Sequence, residues 1–428
     1  MSMHHYTHRL TPVDHTHNRK ALIIGGGIGG LATAIALTQI GFTVEVFERV
    51  TLLREVGAGL SLWANAIKAL DYLGLASAVR ALALPEAAGG IRTPSGALLM
   101  QTANDQLAAQ FGELSVMVHR AELHDLLRQA FGQEIHLGMA CVAVTEEGQG
   151  VRVRFRNGEE VVGDLVIGAD GLHSAVREGL HGIQPPRYAG YTAWRGVVGF
   201  DISRLQVGET WGAGARFGQI PMQGNRVYWF ATQNAPAGQH SPDGEKAELL
   251  RLFGNWHNPI RALIEATPDA AILRNDIYDR PPLKRWGRGR ITLLGDAAHP
   301  MTPNLGQGAC QALEDAVVLA KQVQATADIP TALRAYEAAR ILRTTMIVNQ
   351  SRQVGQVGQW ANPVAVAGRN WLVKHLLARV QYRQFAPLIG YELSLVGFAK
   401  LNHRWLSLSK PTTILWSVRD ALSSTGSA

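Results

Sequence analysis

Cysteine is scarce in this chain: Cys141 and Cys310 are its only two. Two thiols so far apart exclude a disulfide framework and any zinc-ligand spacing, and they point to a reducing, cytoplasmic setting. The start of the chain lacks the charged, apolar and small-residue layout of a secretory signal. Long apolar runs are also missing. The longest, Ala21 to Leu37, opens on clustered glycines and leads into a strand-like run, which excludes a membrane span. Charged residues make up 18% of the chain, against 46% apolar ones. That balance fits a globular protein, and neither an internal period nor a low-complexity tract is present beyond the N-terminus.

What is present divides unevenly. The length of 428 residues suits two joined domains and a terminal appendage. His4, His5, His8, His15 and His17 mark residues 1–19 as a flexible polar tail, a simpler reading than a metal site. The formal charge of +7 is concentrated after residue 361, where Arg369, Lys374, Arg379, Arg383, Lys400, Arg404, Lys410 and Arg419 face only Glu392 and Asp420. A balance this local gives no sign of a nucleic-acid partner.

Residues 20–24 read as a short buried strand. Gly25-Gly26-Gly27-Ile28-Gly29-Gly30 follows and fits G-x-G-x-x-G at Gly25, Gly27 and Gly30. An Ala-rich helix continues from Leu31 to Ile40 and ends at Gly41. Thr43 to Phe47 forms a second strand, with Glu48 at its end and Arg49 beside it. The first glycine permits the turn, the second lets backbone approach a pyrophosphate, and the third lets helix and strand pack. The helix N-terminus offers free N–H groups to phosphate. Glu48 stands 23 positions after Gly25, where a carboxylate meets ribose hydroxyls and repels a 2′-phosphate. The site therefore suits FAD or NAD.

Two more strand–turn–acid units follow. Asp164 to Gly168 leads to Asp170-Gly171, and Ile291 to Leu294 leads to Gly295-Asp296, with Pro303, Gly306, Gln307 and Gly308 behind it. Apolar positions from Ala309 to about Val323 keep a helical period. Together these segments resemble the flavoprotein aromatic hydroxylases, the group of para-hydroxybenzoate and salicylate hydroxylases, with a zeaxanthin-epoxidase-like branch nearest. Gly57-Ala58-Gly59 before Asn65, Arg120 in His-Arg-Ala-Glu-Leu, and the run from Tyr188 to Gly196 add to the resemblance, which covers residues 20 to 350.

The resemblance implies an α/β fold: a Rossmann-like FAD-binding domain of the para-hydroxybenzoate hydroxylase type over 20–180 and 284–355. A β-sheet substrate domain over 181–283 and a helical C-terminal region over 356–428 complete it. It implies FAD contacts at Gly25, Gly27, Ile28, Gly29, Gly30, Glu48, Arg49, Gly59, Arg120, Asp170, Asp296, Pro303, Gly306 and Gly308. Asp296 would bond the ribityl hydroxyls, and the helix after Gly308 would face the flavin N1–C2=O edge. Asp170 has a blander role open to it, capping the helix that follows, and Arg177 reads as a surface or capping partner.

With only one complete fingerprint, NADPH or NADH would act as a transient reductant, and a second nucleotide domain is disfavoured. Hydride would pass to flavin N5, oxygen would add at C4a, and the hydroperoxide would hydroxylate a small aromatic or other lipophilic molecule. Trp194, Trp211, Phe217, Met222, Tyr228 and Phe230 are candidates to line the chamber. Arg195 and Arg216 could orient an anionic group or form surface ion pairs, and no residue stands out as a catalytic base. His299 reads as structural or near the cofactor, and no metal is expected. Epoxidation, oxygen-independent reduction or dehydrogenation on the same scaffold, and a non-catalytic flavin module remain open, whereas the tryptophan pair of a halogenase is missing. Trp371, Leu372, Val373, Leu376, Leu377 and Val380 fit an amphipathic helix: a cap on the FAD domain or on a dimer partner, or a surface touching membrane. The chain is thus expected as a monomer or homodimer.

Overall fold

Strand Lys20–Ile24, helix Ile28–Gln39 and strand Thr43–Glu48 form in the order expected of the fingerprint. The computed structural model describes residues 10–53, 58–85, 89–102, 109, 112–377, 388–391 and 393. A five-stranded sheet runs Ile291–Leu293, Leu165–Gly168, Lys20–Ile24, Thr43–Glu48, Ile135–Leu137, with every neighbouring pair parallel. Ala21, Leu22 and Ile23 are fully buried because the fingerprint helix covers one face of the sheet and the antiparallel strands Cys141–Glu147, Gly150–Phe155 and Glu160–Gly163 cover the other, with the Phe47 and Phe155 rings 4.8 Å apart. The fingerprint helix packs against Gly308–Ala325 and Arg120–Phe131, which is why it is apolar almost all round. Parallel strands end on one edge, so the turns holding Gly25, Asp170 and Asp296 gather there, as ligand-binding turns do in open α/β sheets.

The second sheet has seven strands, ordered Leu273–Asp279, Arg187–Gly199, Arg226–Asn234, Ala215–Met222, Gly208–Trp211, Gly89–Arg92, Leu98–Thr102. Its last two strands come from within 20–180, so the substrate sheet is not confined to 181–283. The join is a parallel pairing of Gly208–Thr210 with Gly90–Arg92. Such pairing links strands distant in sequence, and no hairpin turn announces it. One face packs Trp194, Val198, Phe217, Val227 and Trp229 against helices Glu245–Phe253 and Ile260–Ala266.

Residues 10–19 of the expected tail pack onto the fold. Leu10 joins the main core, Thr16 is fully buried, and the His15 imidazole meets the Val323 carbonyl at 3.1 Å. His4, His5 and His8 lie outside the described residues. Among the described residues no group of His, Cys, Asp and Glu could hold a metal, and no helix is long and apolar enough to cross a membrane.

The closing helix spans Ile329–Gly358, and Pro363–Leu372 follows with Asn362 capping Val364 and Ala365. Leu372 and Val373 turn inward, whereas Trp371 is exposed. Arg379, Val380, Arg383, Lys400, Arg404, Lys410, Arg419, Glu392 and Asp420 lie outside the described residues, as does Gly57.

Candidate active site

Gly25 takes φ +113°, and a Cβ there would sit 2.3 Å from the Ala169 carbonyl oxygen. A Cβ on Gly30 would meet the Gly25 carbonyl at 1.9 Å, so loop and helix touch backbone to backbone. Gly27 differs: a Cβ there would meet nothing within 4 Å. It is the N-cap of the helix, and no side chain caps the free N–H groups behind it. Glu48 accepts from Gly26 N–H at 2.9 Å and from Val50 N–H at 3.2 Å, which aims its carboxylate along the loop. Arg49 beside it is exposed. The His124 imidazole meets the Gly26 carbonyl at 2.7 Å, a support the sequence pattern did not single out.

The latter motif lies against this loop. A Cβ on Gly29 would sit 2.9 Å from Leu294 and 3.1 Å from Ala312, so the fingerprint helix rests on the residue before the Gly295-Asp296 turn and on the helix Gly308–Ala325. Gly295 takes φ +59° and Gly306 +61°. Asp296 is open to solvent on one side, yet enclosing protein pushes its carboxyl pKa up, opposed by His299 and Arg120. Burial lowers the Arg120 pKa, and Asp296 raises it. This mutual influence ties Arg120, which begins the helix Arg120–Phe131, to Asp296. Gly308 begins its helix with no side-chain cap, and its Cβ position is 3.9 Å from the Asp296 carboxylate.

Asp170 performs the blander role as well. One carboxylate oxygen accepts from Ala175 N–H at 2.7 Å and Val176 N–H at 3.3 Å. The other is buried without a partner among the described residues, and burial raises the pKa. Arg177 is no surface partner. It is buried and donates to the Ala297 and Ala298 carbonyls at 2.9 and 3.0 Å, bracing the Asp296 turn from below. Burial and Arg280 lower its pKa to about 10. Replacing it with Met should loosen that turn and weaken FAD binding about tenfold, as measured by quenching of flavin fluorescence.

His299 is buried rather than facing the cleft, and its Nε2 meets Asp315 at 2.7 Å. Asp315 and Glu314 lie fully buried on the helix after Gly308, held by Arg340 and Arg343 from the long helix. Asn65 bonds Glu314 at 2.6 Å and Gln307 at 3.0 Å. Sequence reading missed this network, because charges on amphipathic helices ordinarily mark a solvated face.

Pairing across the second sheet sorts the chamber candidates. Arg195, Phe230 and Gly218 share one row, and Val197, Tyr228 and Ile220 another. These rows face away from the helix-packed side, since alternate residues point to opposite faces. Ala58, Met117 and Met222 cluster with Tyr228, and Val197, Ile220 and Phe230 pack on them. The Tyr228 ring fills the space of a Gly59 Cβ, 2.4 Å from its Cγ, and so closes the seam between sheet and cofactor domain. Trp211 faces the same way, packed with Leu99 and Val373.

Trp194 and Phe217 are corrections. Both lie in the opposite cluster against the two helices, so they support the sheet from behind. Arg195 reaches Asn275 at 3.3 Å and influences the Tyr228 hydroxyl, whose pKa burial raises and Arg195 lowers. Arg216 is buried and bonded to Gln359 at 3.1 Å and to Asn304 in the Pro303–Leu305 turn. It welds the sheet to the cofactor loop, and it also pairs with the half-buried Glu209 at 3.6 Å while its own side chain stays buried.

The residues present fit FAD. The cradle at Gly27 has room for phosphate beside uncapped helix N–H groups. Glu48 and Asp296 supply carboxylates for hydroxyl groups at its two ends. Buried Gln307 Nε2 and the orphaned Asp170 oxygen are polar atoms with unmet bonding capacity among the described residues.

Residues 18–351 match a family described as FAD binding domain. The chain is 44% identical over 376 residues to an aurachin C monooxygenase/isomerase of Stigmatella aurantiaca, covering 86% of this chain and 98% of the relative. It is 38% identical over 342 residues to an FAD-dependent urate hydroxylase of Klebsiella pneumoniae, covering 78% and 89%. A crystal structure of Klebsiella pneumoniae HpxO with FAD and uric acid superposes with TM-score 0.82 at 33% identity, covering 87% of this chain and 97% of that one.

Proposed function

This chain belongs to the family of FAD-dependent monooxygenases, and from that membership we propose that it oxygenates an apolar, ring-bearing small molecule seated between the Tyr228 row and the cofactor cleft. FAD, reduced by NAD(P)H, supplies the chemistry that places one atom of O2 on the substrate and releases the other as water. The protein's part is to bind, orient and keep water out.

The N–H groups at Ile28, Gly29 and Gly30 hold the pyrophosphate, Glu48 the adenosine ribose and Asp296 the ribityl chain. The Gly308 helix end favours negative charge on the ring system. Val197, Ile220, Met222, Tyr228 and Phe230 give the substrate an apolar surface, and Arg195 with Tyr228 offers one polar anchor for a ring oxygen or nitrogen. The carrying observation is this face: four apolar side chains, Val197, Ile220, Met222 and Phe230, around a single cation–phenol pair, Arg195 and Tyr228, directly across the Gly59 seam.

The test is a panel of phenols, N-heteroaromatics, quinones and polyenes, scored for accelerated NAD(P)H oxidation, oxygen uptake and product mass. A ring substrate gaining 16 mass units is the expected result; no stimulation of oxygen uptake by any of them would sink the reading. Tyr228→Phe should raise KM about tenfold with FAD affinity unchanged, since it removes one substrate-facing hydroxyl.

A further inference from the structure

Beyond residue 351, where the family match ends, a short stretch of chain returns to the cofactor side. Leu388 and Ile389 are buried with Ile347, and Trp63, Met301, Leu305 and Met346 pack on them. The Leu388 carbonyl accepts from Arg343 at 2.7 Å, the guanidinium that also holds Glu314. The Tyr391 ring lies 4.2 Å from the Arg343 guanidinium and 5.5 Å from that of Arg340. Leu393 is buried, and Lys321 donates to its carbonyl.

Met301 precedes the Pro303–Leu305 turn and Leu305 ends it. Asn304 in that turn is held by polar groups: the Tyr191 hydroxyl at 3.0 Å, the Ser351 carbonyl at 3.0 Å and Arg216. The loop leading into the Gly308 helix is thus fixed twice. The substrate sheet and long helix grip Asn304, and the C-terminal stretch grips its apolar neighbours. A loop held at one point can pivot; one held at two points has a set height over the cleft.

We propose that Leu388 and Ile389 are positioning residues that press the 301–308 loop against the bound flavin and seal its edge from solvent. This rests on the flavin reading of the cleft. Their role is mechanical: they share one apolar cluster with Met301 and Leu305, which carry the loop, and the loop carries the helix end that faces the ring system.

The test uses the full chain, loaded with FAD, as wild type, Ile389→Ala and Ile389→Val. Three readouts are needed: the apoprotein melting temperature, FAD affinity by fluorescence quenching, and the accessibility of bound flavin to iodide. Ile389→Ala should keep FAD affinity within about twofold, yet raise the iodide quenching constant about threefold, with Ile389→Val returning it to the wild-type value. Equal quenching constants in all three proteins would overturn the inference, as would a rise that only tracks lost melting temperature and that valine does not restore. Failure of the wild type to take up FAD would instead overturn the flavin reading itself, and this inference with it.

Discussion

Gly27→Asp should leave the apoprotein folded, slightly more stable than wild type, and unable to retain FAD. The backbone at Gly27 has φ −76° and ψ −177°, which any residue adopts. Its Cβ position is empty, so the substitution meets no protein atom. Aspartate is a strong N-cap: its carboxylate would accept from helix N–H groups that no side chain now satisfies. The gain is a few tenths to about 1 kcal/mol. The same carboxylate would then occupy the pyrophosphate position, and like charge at contact distance should cost about 3 kcal/mol or more, roughly a hundredfold in affinity. The opposite signs make the experiment informative. Thermal melts of the apoprotein and FAD titration should move in opposite directions. A mutant that still binds FAD at the wild-type affinity would remove the phosphate from Gly27.

Arg340→Met should produce the largest loss of stability of any single change here, about 3–5 kcal/mol in a urea melt. The guanidinium is fully buried and binds both Glu314 and Asp315, which are fully buried too. Methionine fills much of the volume but leaves two buried carboxylates, Glu314 with the Arg343 cation and Asp315 with His299. The same network sets an acid limit. Burial alone would raise the Asp315 pKa, but His299 and Arg340 outweigh it and hold it at about 2. Glu314 is lowered as well, by Arg343 and Arg340 against burial. An unfolded aspartate titrates near ~4. The stabilisation is therefore complete at neutral pH and is lost as pH falls from about 4 toward about 2. Equilibrium melts at stepped pH should show wild-type stability dropping in that window, and Arg340→Met should flatten the drop. An unchanged slope in the mutant would show that other carboxylates govern acid unfolding.

The cofactor half of this molecule was written plainly in its sequence, and the reason is local geometry. Gly25 and Gly30 are needed where a Cβ would strike backbone, Glu48 ends the short strand Thr43–Glu48, and Asp296 stands in the turn just after Ile291–Leu293. Those requirements act within a few residues and leave fixed spacings. The substrate half was harder. Trp194 and Phe217 have the size of chamber aromatics, but strand parity turns both to the helix-packed face. Phe217 lies in the row of Ala231 and Trp194, one residue out of phase with Phe230. The register between strands, which no local spacing fixes, is what separates them from Tyr228. Arg177, Arg216 and Arg340 were invisible as interior groups, since their partners stand more than a hundred positions away or on another helix. Residues 89–102 gave no hint of the sheet they extend, for the matching strand arrives only at Gly208.

Those two early strands carry a mechanical consequence. Polypeptide leaves the nucleotide half to build the far edge of the substrate sheet, goes back, and crosses again near residue 187 and after Asp279. Two bodies stitched by that many threads cannot swing apart on a single pivot. Entry and exit of small molecules must then be governed by movements of individual loops, and neither half should be obtainable as a folded fragment by cutting the gene in one place.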